Sequence, residues 1–190
     1  MSPILHTGYA WEEEIDRFWE AWGRVFHMPD RSARCGSHIH VSPVPNKSFG
    51  LLDLSNIAFG VIFFEPLVEN LLPYNRRNNP YCELNTKHST KLREYYCDEY
   101  DLSDIWERIA NILDRGEIRD FMQKNESDTC KSRYVLWNFA HVTHGGTGSI
   151  EFRGGRGLRG PVRTKRWIAF VVSFIHMCTK QVRSINLHIK

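Results

Sequence analysis

The chain has 190 residues, 42% of them hydrophobic and 13% aromatic, a length and apolar content that suit one domain with its own core and exclude general disorder,. With 25 basic and 22 acidic residues the formal net charge is +3, too small an excess to point to nucleic acid,. The longest apolar run, residues 56–64, falls far short of the roughly 20 residues that cross a bilayer.

In chain order, Trp11, Ile15, Phe18, Trp19, Trp22, Val25 and Phe26 recur at intervals of three and four, which predicts an amphipathic helix over residues 9–27,. Residues 35–41 follow as a short strand, closed by Pro43 and Pro45. Residues 54–72 are apolar on nearly every side and predict a deeply buried helix, capped by Asp53 or Ser55 and kinked or split at Gly60 and Pro66,. Residues 74–85 read as a polar loop. Ile105, Ile109, Ile112 and Leu113 mark a helix over 103–114, a shorter one follows over 117–123, and 125–131 is a loop. Residues 134–142 and 149–153 predict two strands joined by the hairpin connection His144-Gly145-Gly146-Thr147-Gly148, where glycines supply positive φ,. Trp167, Phe170, Val171, Phe174, Ile175 and Cys178 form the stripe of a long closing helix. This order predicts one α+β domain over residues 1–190, a small antiparallel sheet packed by helices. The five cysteines are scattered with no Cys-x-x-Cys pair, and no N-terminal stretch has signal-peptide character, so free thiols in a reducing cytoplasm are expected,.

Two short segments carry the chemistry. Side chains alternate across a strand, so His38 and His40 share a face, as do Glu151 and Arg153,. Placed in one sheet, they gather two imidazoles, a carboxylate and a guanidinium, a set that is costly to bury unless it pairs or binds something. Imidazole and carboxylate together ligate divalent metal, and the Arg153 fork suits a phosphate or carboxylate. The competing reading is a structural Glu–Arg pair beside two satisfied histidines. Gly154, Gly155, Arg156 and Arg159 follow in a Gly-rich, acid-free stretch. Its amides and guanidiniums suit an anion such as a nucleotide phosphate, or else form a hinge before the last helix,. The loop with Arg76, Arg77, Asn78, Asn79 and Cys82 is expected to be solvated surface. Cys35, His38 and His40 offer three zinc ligands, with a remote cysteine as the fourth, but without the second close pair that zinc spacing normally supplies, so zinc is the less favoured ion,.

In order, these motifs are Cys-Gly-Ser-His-Ile-His-Val, the loop Arg-Arg-Asn-Asn-Pro-Tyr-Cys after an apolar helix, Arg133, Asn138, Ser-Ile-Glu-Phe-Arg-Gly-Gly and Trp167. The set resembles the amidoligases, carboxylate–amine ligases related to glutamine synthetase and glutamate–cysteine ligase and numerous in fungi. The likeness is strongest over residues 34–174. It implies a glutamine-synthetase-like catalytic core and ATP-dependent amide formation from small carboxylate and amine substrates, with Mg²⁺ ions between nucleotide and protein. It further implies His38 and Glu151 as metal ligands with His40 facing the same site, Arg153 on the phosphate or developing acyl phosphate, and Arg133 assisting. The family's first strand carries a Glu-x-Glu pair, whereas the acids upstream of His38 here cluster at the start of a helix. The expectation is therefore a chain lacking the N-terminal strands. The alternatives are an inactive remnant that binds a small ligand or a protein, or a zinc-stabilised binding domain.

Overall fold

The computed structural model describes residues 4–8, 10–27, 35–43, 47–97, 101–124 and 131–185. The helix foreseen at the N-terminus is α1 (Trp11–Val25), with Glu12, Glu13 and Glu14 in its first turn, where the helix dipole favours carboxylates,. Strand β1 (Gly36–Val41) follows. The long apolar stretch is two helices, α2 (Leu51–Phe63) and α3 (Glu65–Leu71), bent 64° at Phe64. The break falls next to Pro66, which starts a new helix because its ring cannot continue the old one,. α2 runs unbroken through Gly60, the N-cap is Gly50 rather than Asp53 or Ser55, and the Ser55 hydroxyl instead donates back to the Leu51 carbonyl. Every α2 residue from Leu54 to Ile62 is buried.

After a 3₁₀ turn (Tyr74–Arg76) come α4 (Asn85–His88) and α5 (Thr90–Cys97), neither foreseen, because their sequences are polar and short. Helices α6 (Leu102–Ala110) and α7 (Arg115–Met122) start at Asp101 and Asp114, whose carboxylates accept from amides of the first turn,. The loop expected over 125–131 falls, up to 130, outside the described residues. The strand expected over 134–142 shrinks to β2 (Trp137–Asn138), because the chain turns into a 3₁₀ segment at Ala140–Val142. Strand β3 (Ile150–Arg156) runs longer than expected, and α8 (Pro161–Ile185) closes the described chain.

The fold is α+β: eight helices and a three-stranded antiparallel sheet of order β1-β3-β2 among the described residues. On one face Ile39 pairs with Phe152, and Phe152 with Trp137. The rings of Trp167, Phe170 and Phe174 on α8 pack against these, Phe174 stacked on Trp137 at 4.7 Å. Trp19 of α1 donates to Thr164 of α8 at 2.9 Å, and α2 lies among α6, α7 and α8. The sheet is thus apolar and covered on one face. Its other face carries the polar residues, which is what positions the site. Among the described residues no single helix is long and apolar enough to cross a membrane.

Candidate active site

Register decides which polar side chains meet. His40 pairs with Glu151 across β1 and β3, and Asn138 with Glu151 across β2 and β3. Between Ser37 and Ile39 the β1–β3 register slips by one residue, so His38 faces the bulged stretch of β3 that holds Arg153,. The result is convergence on one carboxylate. His38 Nδ1 and Arg153 Nη1 each lie 2.9 Å from Glu151 Oε1, His40 Nε2 lies 3.6 Å from it, and Asn138 Nδ2 donates to Oε2 at 2.7 Å. The sequence-based pairing of His38, His40, Glu151 and Arg153 is therefore a physical cluster.

The carboxylate is the floor and the imidazoles are the rim. The Glu151 side chain is 4% exposed, while those of His38 and His40 are 42% and 45% exposed. Burial alone would raise the Glu151 pKa. Donation from His38 and Asn138 and the Arg153 charge outweigh it, pulling the carboxyl down to about 2, so it is ionised at neutral pH,. The His40 pKa is lowered as well, below that of a free imidazole. Burial lowers its pKa against the pull of Glu151, with His141, His38 and Arg153 adding to the lowering, which favours the neutral ring that binds metal,.

His141 is the residue the sequence did not assign. Its ring stands 5.2 Å from that of His40, and His40, His141 and Glu151 offer ligand atoms all within 4.8 Å of one another. Strand alternation sends Asn138 and His141 to opposite faces, yet both reach Glu151's surroundings. The reason is that β2 stops at Asn138 and the 3₁₀ turn rotates His141 back. The amide of Ala140 donates to Asn138 Oδ1 at 2.9 Å and so fixes both the turn and the Asn138 rotamer. Ser149 completes the rim, its Oγ lying 3.3 Å from His40 Nδ1.

The other expected residues lie differently. Gly154, Gly155 and Arg156 belong to β3, not to an open anion-binding loop: Gly155 pairs with Ser37 and Arg156 with Gly36. A Cβ on Gly154 would meet Leu72, Leu136 and Phe152 carbons at 2.6–2.7 Å, so this glycine serves close packing,. Arg159 is exposed beyond the strand, and Arg133 is exposed in the 3₁₀ turn Lys131–Arg133. Cys35 is exposed and stands outside the metal-capable group. The loop expected to be solvated is not uniformly so, since Arg76 and Cys82 are buried at 1% and 2% exposure.

The described residues thus form an α+β domain with a histidine–carboxylate–arginine cluster on the sheet face turned away from α8. A family model described as "putative amidoligase enzyme" matches residues 1–175, and the chain belongs to that family. The match starts well before residue 34, where the likeness read from individual motifs begins. No curated protein and no solved structure matches the chain.

Proposed function

We propose that this protein is an ATP-dependent carboxylate–amine ligase. The terminal phosphoryl group of ATP passes to a carboxylate oxygen, giving an acyl phosphate and ADP. An amine then attacks the acyl carbon, phosphate leaves, and the amine releases a proton as the amide forms. The observation that carries this reading is the convergence of His38, His40, Arg153 and Asn138 on the buried Glu151 carboxylate, in a chain of the amidoligase family.

Such chemistry is mainly positioning and neutralisation of charge. Arg153 suits the phosphoryl oxygens, because Glu151 holds its Nη1 at 2.9 Å and the Tyr81 carbonyl receives its Nε at 3.4 Å, so the guanidinium plane is fixed,. Arg156 and Arg159 add charge along the same segment, and Arg133 is the remaining candidate for phosphate contact. Glu151 orients the rim imidazoles, and neutral His40 is suited to receive the amine's proton or to ligate metal.

The donor chemistry tests the implied metal. Magnesium prefers oxygen ligands and is commonly held by one or two carboxylates plus substrate phosphates. The cluster offers it one carboxylate, both of whose oxygens already accept hydrogen bonds. These residues do not fit a magnesium ion held by the chain alone. The set His40, His141 and Glu151 suits an ion that accepts imidazole, such as zinc or manganese,. Isothermal titration with Mg-ATP tests the whole reading, followed by ADP release in the presence of a carboxylic acid and hydroxylamine, which traps an acyl phosphate as hydroxamate. Saturable nucleotide binding and acid-dependent hydroxamate are expected. Absence of Mg-ATP binding overturns the ligase reading.

A further inference from the structure

Beside the candidate site, the segment from α3 to α4 encloses a cavity of about 230 Å³, lined among others by Arg76, Arg77, Cys82, Glu69, Glu83 and Lys87. The cations in this lining differ in how they are employed. Arg77 donates to the carbonyls of Leu72 at 3.0 Å and Asn70 at 2.5 Å, closing the C-terminal end of α3,. Lys87 lies 3.9 Å from Glu69. Arg76 is only partly employed. It is 1% exposed, its Nη2 donates to the Arg153 carbonyl at 2.6 Å, and its Nε is buried with no partner. Among the described residues no carboxylate lies within salt-bridge distance of it. A guanidinium withdrawn from water without a counter-charge is a heavy cost to folding, and such groups are held where an anion completes them.

The surroundings are built to hold that guanidinium in place. The Arg76 amide donates to the Pro73 carbonyl at 2.7 Å, and Asn78 takes a positive φ of 52°. Asn79 ties the loop on both sides, donating to the Asn75 carbonyl and accepting from the Tyr81 amide, each at 2.9 Å. The plane of the guanidinium lies over Gly36, where a Cβ would come within 2.7 Å of Nη2. Cys82 is no counter-ion: its thiol donates to the Arg76 carbonyl at 3.4 Å, and burial raises its pKa despite the neighbouring Arg76 and Arg153 charges.

We propose that the Arg76 cavity is the acid-substrate pocket of the ligase, taking a small organic acid by its carboxylate beside Arg153. This assignment rests on the ligase reading of the neighbouring cluster. Size and charge set the class of ligand. At about 230 Å³ the cavity is smaller than the roughly 300–1,000 Å³ of sites for drug-sized ligands, so a nucleotide does not fit,. Glu69 and Glu83 in the lining offset two of its three cations, which matches one carboxylate and disfavours a polyphosphate. The Arg76 contact with the Arg153 backbone places the pocket directly against the phosphoryl-handling strand.

The test is titration of the full chain with acetate, succinate, benzoate and inorganic phosphate, without nucleotide and with chelator present, followed by calorimetry and by the side-chain ¹⁵N resonances of arginine. At least one of the three carboxylates is expected to bind saturably and shift the Arg76 Nε signal, with phosphate failing to compete. Arg76→Ala is expected to weaken binding tenfold or more. Gly36→Ala keeps the charge but displaces the guanidinium, and is expected to weaken binding as well; it covers the case in which Arg76→Ala does not fold. Binding unchanged in both variants, binding by none of the three acids, or a preference for phosphate overturns the proposal. Mg-ATP binding without carboxylate binding overturns the pocket alone. Carboxylate binding with no response to Mg-ATP supports the pocket and removes the ligase reading.

Discussion

At the residue scale the described residues include two buried carboxylates with opposite electrostatics, Glu65 and Glu151. Glu151, surrounded by donors, has a carboxyl held at about 2, below the ordinary 4.5. Its contribution to stability is full above pH 4.5 and is lost as pH falls toward 2,. Glu65 lies 3% exposed at the bend between α2 and α3, where burial outweighs hydrogen bonds from Thr86 and Asn85 and pushes its carboxyl up to about 7. Its sign is reversed: the contribution is full below 4.5 and is lost as pH rises through about 7,. Glu65→Gln is therefore expected to flatten the fall in urea midpoint between about pH 5 and about pH 8 relative to wild type. Glu151→Gln is expected to cost about 3 kcal/mol near neutrality, since it removes the charge to which His38 and Arg153 are fitted. It is also expected to abolish hydroxamate formation; chemical denaturation and the trapping assay read the two effects.

At the element scale, short polar segments do work that hydrophobic patterning does not reveal. Helix α4 spans only Asn85–His88, yet Asn85 is 0% exposed. Its amide nitrogen donates to the carbonyls of Met122 and Trp137, its oxygen accepts from the Trp137 amide, and its own backbone amide donates to Glu65. One side chain thereby ties α4 to the end of α7 and the edge strand β2. Asn85→Ala leaves buried backbone groups of Met122 and Trp137 without this partner, at an expected cost of roughly 3 kcal/mol in urea unfolding. The helices α4 and α5 escape sequence reading for the same reason. They are held by buried polar bonds, such as Ser89 Oγ between them to the Phe121 carbonyl, and by single apolar contacts of Leu92 and Tyr95, too few to make a periodic stripe,. Helices α1, α6 and α8 were legible because their stripes are long and periodic,.

At the scale of the whole molecule, α8 is the element that makes the sheet one-sided. Its aromatic stripe covers the core face through Phe174, Phe170 and Trp167, leaving Glu151 and its partners on the face turned away. Phe174 touches Trp137, Phe64 and Phe170 at once, joining sheet, α3 entry and closing helix. Phe174→Ala is expected to cost about 3–4 kcal/mol and to lower the melting temperature by about 10 °C. Because the substitution lies on the opposite face from His38 and His40, carboxylate binding by the folded fraction is expected to persist in the same sample.

Residue order alone carried the alternation that puts His38 with His40 and Glu151 with Arg153, the class of fold, and the amidoligase likeness. These are properties of local periodicity and motif order, and they survive without knowledge of which strand lies beside which. Tertiary structure decided the rest. The register across β1, β3 and β2 brought Asn138 to Glu151, and the early end of β2 turned His141 into the cluster. The fold of the Tyr74–Arg76 turn against β1 took Arg76 out of solvent and set it on the Arg153 carbonyl. A polar loop has no periodicity to show which of its side chains will be buried; only the neighbour that packs on it determines that.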